Sequence, residues 1–140
     1  MGWEVMTVEF EIPRIQPKER PHVAYSTRSI YTPRKTKEFE SEVRFIYNIV
    51  SGHQFEGAVK VDIEFHIHRP KTVERELPTV IPDVDNLIKA TLDGLNPKRD
   101  SYNRVTRGAW ADDSQVVEIH ARKMYTDGED KTRVRVEDVE

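Results

Sequence analysis

The clearest pattern in the chain runs from Val59 to His68. Val59, Val61, Ile63, Phe65 and Ile67 alternate with Lys60, Asp62, Glu64, His66 and His68. A period of two puts all the apolar side chains on one side, so the spacing predicts a long strand with one buried and one polar face, ended by Pro70. Val8, Phe10 and Ile12 alternate in the same way with Glu9 and Glu11, predicting a first strand over Val5 to Ile12 that Pro13 stops. Phe39, Val43, Ile46 and Val50 recur at helical spacing, with Thr36 as the expected N-cap and Gly52 as the stop. A second helical stripe, Val84, Leu87, Ile88, Leu92 and Leu95, predicts a helix from about Asp85 to Leu95, closed by Asn96-Pro97. Val117, Ile119 and Ala121 mark a strand from Gln115 to Tyr125. After a turn at Asp127-Gly128, Val134 and Val136 mark a last strand from Thr132 to Val139. The predicted order is β-α-β-α-β-β: an α+β single domain with a small mixed sheet packed by two helices. Two segments stay outside this pattern. One is an arm at about residues 13–37, with four prolines, and the other is a polar loop at about residues 97–109.

Length and composition narrow the picture. The 140 residues suit one domain, and 36% hydrophobic with 9% aromatic residues suffice for one modest core. With 22 Lys and Arg against 25 Asp and Glu the net charge is -3, which excludes a uniformly basic nucleic-acid coat. The absence of cysteine removes disulfides, thiolate nucleophiles and zinc-thiolate sites together. No apolar run approaches the roughly 18 residues of a membrane span, and Met1 to Phe10 lacks the apolar centre of a signal peptide. A cytoplasmic protein is the expectation.

The charges are not evenly spread. Between Arg14 and Lys37 stand Arg14, Lys18, Arg20, Arg28, Arg34, Lys35 and Lys37 against Glu19 alone, a local charge of +6, with Tyr25 and Tyr31 interleaved. Basic side chains on an arm suit phosphates, and aromatics stack on unpaired bases. The second loop has Lys98, Arg99, Arg104 and Arg107 against Asp100, with Tyr102 beside them. Lys18, Arg20, Arg28, Arg34, Lys35, Lys37, Arg104 and Arg107 are the expected DNA contacts. Residues 127–140 are acidic on balance and are expected to face away from DNA.

The chemistry is carried by carboxylates. Asp83 and Asp85 stand two residues apart behind Pro82. In an extended stretch they point the same way, and two like charges so close are relieved by a hard cation with oxygen ligands. An aspartate capping the second helix accounts for either residue alone, and one can cap while the other binds metal. Lys89 follows Asp85 by four residues and Asp93 follows Lys89 by four. That spacing fits a surface row of ion pairs or a lysine turned toward the acidic site. A further pair, Asp112-Asp113, precedes the third long strand; in an extended chain only one of the two faces any given site. His66 and His68 share a strand face, but Mg²⁺ does not favour imidazole and no other histidine has ligand spacing. Trp110 is expected to be a core or wall residue.

Asp83-Val84-Asp85-Asn86-Leu87-Ile88-Lys89, then Asp93-Gly94-Leu95, then Asp112-Asp113-Ser114-Gln115-Val116, resembles the RusA family of Holliday-junction resolvases. Pro17-Lys18-Glu19-Arg20-Pro21 and Tyr31-Thr32-Pro33, with Thr36 and Glu40, extend the resemblance over nearly the whole chain. The stretch from Leu95 to Trp110 looks longer and more basic than in compact members. The resemblance implies a RusA-like fold and a Mg²⁺-dependent (or Mn²⁺-dependent) homodimeric endodeoxyribonuclease. Such an enzyme resolves four-way junctions by paired symmetric nicks in recombination and repair. It also implies metal-site roles for Asp83, Asp85 and Asp113, and a catalytic role for Lys89. No serine, cysteine or tyrosine is evidently activated as a nucleophile, so hydrolysis to a 5′-phosphate end is expected. The alternatives are a non-catalytic branched-DNA binding protein, which would bind equally well without metal, and a Mg²⁺-dependent nucleotide hydrolase, against which the basic arm speaks.

Overall fold

The computed structural model describes residues 5–19, 22–24, 29–31 and 33–139. The long strands fall close to where the alternation puts them: β1 (Thr7–Ile12), β4 (Val59–His68), β7 (Val116–Thr126) and β8 (Lys131–Asp138), with the short β2 (His22–Ala24), β3 (Ser29–Tyr31), β5 (Lys98–Arg99) and β6 (Val105–Thr106) between them. The helices are α1 (Arg34–Val50) and α2 (Val84–Leu95). The four long strands form one mixed sheet in the order β1-β8-β4-β7. β8 pairs antiparallel with both β1 and β4, while β4 and β7 run parallel. A parallel pair needs a long crossover, and residues 69–115, which contain α2, provide it.

Burial follows the period-two rule. Val59, Val61, Ile63 and Phe65 of β4 are buried with Val8, Phe10 and Ile12 of β1 and Val134 and Val136 of β8. Phe39, Val43 and Tyr47 of α1 and Leu87, Ala90 and Leu95 of α2 close the same core. Both helices therefore cover one face of the sheet. The other face is a lattice of charges, including Arg122 to Glu64 at 2.8 Å and Lys60 to Glu137 at 3.4 Å. The helices touch each other closely. A Cβ added at Gly94 would lie 2.6 Å from the Cβ of Val43, so α2 can approach α1 this far only with glycine there.

Several local expectations are corrected. Thr36 does not cap α1: the helix begins at Arg34, and Thr36 is buried, with its hydroxyl 3.4 Å from the Glu19 N–H. Pro33, with its fixed φ, precedes the helix instead. Gly52 does end α1, at a φ of 70° that disfavours other residues. Val117 and Ile119 are not buried; they are 61% and 41% exposed, although Ile119 pairs with the buried Val61 and lies on the core side of the sheet. A register shift beside Lys60 takes Val117 out of the ladder, and β7 is the sheet's edge, where the helices give little cover. Val84 stands at the rim. The arm and the basic loop are not structureless, since β2 pairs with β3 and β5 with β6. In β5-β6 the reversal uses Asn103 at φ 65°, a conformation asparagine tolerates well.

Candidate active site

α2 and the chain around its two ends organise the candidate site. At its start the backbone of Asp83 is extended and its carbonyl accepts from Leu87 N–H at 3.2 Å, but no side-chain hydrogen bond ties its carboxylate to the helix. Asp85 already lies in the first helical turn, where one of its oxygens accepts from the Asn86 N–H at 3.0 Å. The pair is thus not the two-residue extended repeat expected from Pro82, because Val84 and Asp85 have turned into the helix. Both carboxylates are exposed at the same helix end, where the unpaired N–H groups and the dipole favour anions.

The loop in front of this pair is held from the sheet. Lys123 of β7 donates to Val80 O at 2.7 Å and to Pro82 O at 3.0 Å, the latter the residue before Asp83. Further back, Arg69 lies over the Tyr125 ring at 4.6 Å, Arg75 donates to the Tyr125 hydroxyl at 2.9 Å, and Arg69 reaches Arg75 O at 2.7 Å. Sequence reasoning passed over Lys123. Its signal is its place in the alternation: it follows Ile119 and Ala121 on the helix-covered face, where a lysine must reach a polar partner.

The other end of α2 is built differently. Arg44 of α1 is buried, and it donates to Asn96 O at 2.7 Å and Asp93 O at 3.1 Å, closing the last carbonyls of the helix. Burial pulls its pKa down against the opposing charge of Glu40. Asn96 donates to Asp113 at 3.2 Å and accepts from the buried Trp110 indole N–H at 2.6 Å. Trp110 is therefore a core residue, one of the two places expected for it. Asp112 accepts from Ser114 N–H at 2.9 Å and makes a reciprocal capping box with Gln115 around the turn Asp113–Gln115. The hydrogen bonds from Ser114 hold the Asp112 carboxyl below its ordinary range.

The expected convergence of Asp113 with Asp83 and Asp85 is not found within the chain. α2 has 12 residues, so its ends lie about 18 Å apart at 1.5 Å per residue. Asp83 stands at one end and Asp113 beside Asn96 at the other. β7 repeats the same separation: Lys123, near its far end, meets the Asp83 side, while Asp113 precedes its start. Among the described residues no three His, Asp or Glu groups lie close enough to share a metal ion. One chain therefore offers two exposed carboxylates at a helix start. An all-oxygen pair of this kind fits Mg²⁺, which is commonly held by one or two carboxylates with water and substrate phosphate.

Lys89 lies on α2 with its ammonium 3.6 Å from Asp93 and is 62% exposed. Lys18 is drawn in between Glu40 and Asp93, at 2.7 and 3.0 Å. Arg34 is exposed and paired with Glu38 at 2.8 Å; Lys35 and Lys37 are exposed on the same first turns of α1. Arg104 lies over Tyr102 and pairs with Asp100, and Arg107 donates to Gln54 at 2.7 Å. Arg20, Arg28 and Tyr25 lie outside the described residues. His66 and His68 are engaged separately, with Glu64 and with Gly128 O.

A two-layer α+β domain with an acidic helix start and basic outgrowths is a framework for phosphodiester chemistry. Comparison with known proteins gives it a family. Residues 14–137 match the endodeoxyribonuclease RusA family, and the chain belongs to it. The chain is thus a DNA endonuclease of the Holliday-junction-resolving class. It is also 30% identical over 123 residues to the uncharacterized protein YqaN of Bacillus subtilis (strain 168), covering 76% of this chain and 77% of that protein.

Proposed function

We propose that the protein is a Mg²⁺-dependent structure-specific endodeoxyribonuclease that resolves four-way DNA junctions by paired symmetric nicks, acting in the cytoplasm in recombination and repair. The observation that carries this reading is the exposed pair Asp83 and Asp85 at the start of α2, with Asp83 untied to the helix, in a chain of this family. These two residues would hold the metal, with Mn²⁺ as a substitute. When bound, it lowers the pKa of a water and offsets charge on the scissile phosphate. The chain's own part is to present the phosphate. The start of α2 favours an anion, Lys89 on the same helix adds a cation against the charge that builds up during hydrolysis, and Lys123 fixes the approach to Asp83. Exposed Arg34, Lys35, Lys37, Arg104 and Arg107 engage backbone phosphates, with Arg20 and Arg28 assigned to the same role from sequence. Hydrolysis leaves a 5′-phosphate and a nick that ligase can seal.

Asp113 belongs to this chemistry only if a second copy supplies it. The proposed assembly is a homodimer in which carboxylates from two copies meet. It matches the two-fold symmetry of a junction that must be cut on two strands. The alternative, a non-catalytic branched-DNA binder, draws on the separation of Asp113 from Asp83 within one chain. Cleavage of a labelled four-way junction beside a matched linear duplex, with Mg²⁺ or with EDTA, separates the two. The proposal expects paired, ligatable nicks on the junction with Mg²⁺ alone. Binding without cleavage in both conditions would support the alternative, and equal cutting of linear duplex would remove the junction specificity.

A further inference from the structure

Lys18 is one of the seven basic residues of the arm, but its surroundings differ from those of a phosphate ligand. Its ammonium lies 2.7 Å from Glu40 and 3.0 Å from Asp93, and its side chain is only 22% exposed. Its main-chain N–H donates to Asn86 O at 2.9 Å, one residue beyond Asp85. The next residue, Glu19, meets the buried Thr36 hydroxyl of α1. The root of the arm is therefore joined to the first turn of α2 by backbone, to its last turns by a side chain, and to α1 by both. Asp93 is shared: its second oxygen is 3.6 Å from the Lys89 ammonium. Burial works against the charge of Lys18, yet the hydrogen bonds and charges of Glu40 and Asp93 outweigh it and raise its pKa. A phosphate could reach this ammonium only by displacing a carboxylate from a half-buried site.

We propose that Lys18, Glu40 and Asp93 form a clasp that fastens the root of the basic arm to α2, whose start carries Asp83 and Asp85, and orients Lys89 through Asp93, so that Lys18 is a positioning residue and not a DNA ligand. This rests on the catalytic reading of Asp83 and Asp85. It predicts that the clasp controls the rate of cleavage while contributing nothing to the ionic part of DNA binding.

The test uses the full chain and a four-way junction. Affinity is measured in EDTA across a salt series, single-turnover cleavage with Mg²⁺, and thermal midpoints alongside. Lys18→Met should slow cleavage by about tenfold, as a small displacement of a reacting geometry does, and leave the salt slope of the affinity unchanged. Lys18→Arg, which keeps a cation between the two carboxylates, should restore most of the rate. Lys35→Met, which removes an exposed cation, should lower the slope by about 0.9. If Lys18→Met itself lowers the slope by that amount, Lys18 is a phosphate ligand and the clasp is overturned. Should Lys18→Met not fold, Glu40→Gln decides. A clasp loses rate at unchanged slope, whereas a freed phosphate-binding lysine would gain affinity. Asp83→Asn is run in parallel. Cleavage surviving there overturns the catalytic reading, while loss there with full rate in Lys18→Met overturns the clasp alone.

Discussion

The two ends of α2 carry the same residue type in different states. At the start, Asp83 and Asp85 face solvent, and no side-chain bond ties Asp83 to the helix. At the finish, Asp112 is locked in a capping box and Asp113 is held by Asn96, which is itself fixed by the buried Trp110. A carboxylate already satisfied by N–H donors has less to offer a cation than one left to water. An aspartate pair in a sequence is therefore only a supply of charge. Its partners decide whether it serves as a ligand or as a fastening.

The strongest way to break this comparison is at the open end. Asp83→Asn or Asp85→Asn should reduce Mg²⁺-dependent junction cleavage by roughly 100-fold or more, the scale of losing a charge-stabilising group. Junction affinity in EDTA should hold, and for Asp83→Asn the thermal midpoint as well; unaltered cleavage would remove that residue from the site. Next comes the support beneath that end. Lys123→Met removes the donor to Val80 O and Pro82 O, so turnover should fall by about tenfold with little change in affinity. A loss confined to stability would show that Lys123 only braces the loop. At the fastened end the expected effect is on folding. Asp112→Ala should cost about 1 kcal/mol by losing the cap, read as a lower midpoint in thermal unfolding, with cleavage reduced less than in Asp83→Asn.

The smallest effect lies on the charged face of the sheet. The Arg122 guanidinium holds the Glu64 carboxyl below its ordinary value of 4.5. A depressed carboxylate stabilises the fold above that value, and the contribution is lost as pH falls through the folded-state pKa. Arg122→Met should flatten the acid side of the stability profile by tenths of a kcal/mol, because the pair is exposed. An unchanged acid limb would assign the ion pair no weight.

Much of this arrangement was legible from residue order. The β4 alternation and both apolar helical stripes are local patterns, and the structure keeps them because each hides one face. Thr36 misled because a threonine before an apolar stripe suits a cap, whereas burial and Glu19 claimed it. Val117 and Ile119 misled because alternation says which side of a strand is apolar, and not whether anything covers it. The short pairs β2-β3 and β5-β6 are too brief to leave a periodic trace. In the site, Asp83, Asp85 and Lys89 are near in sequence and share α2 and its N-cap, but the spacing missed that Asp85 already stands in the helix and not in an extended repeat. Asp113 comes from a separate segment, and only the path of the intervening chain could place it at the other end of α2. Lys18 looked like one more positive charge, since its two carboxylates come from α1 and α2, far away in sequence.

Arg44 reaches from α1 to close the final carbonyls of α2, and Gly94 lets the two backbones nearly touch. The two helices are thereby fastened to each other at the far end of α2. A load on the start of α2 would therefore be carried as well by α1, the helix whose first turns hold Arg34, Lys35 and Lys37.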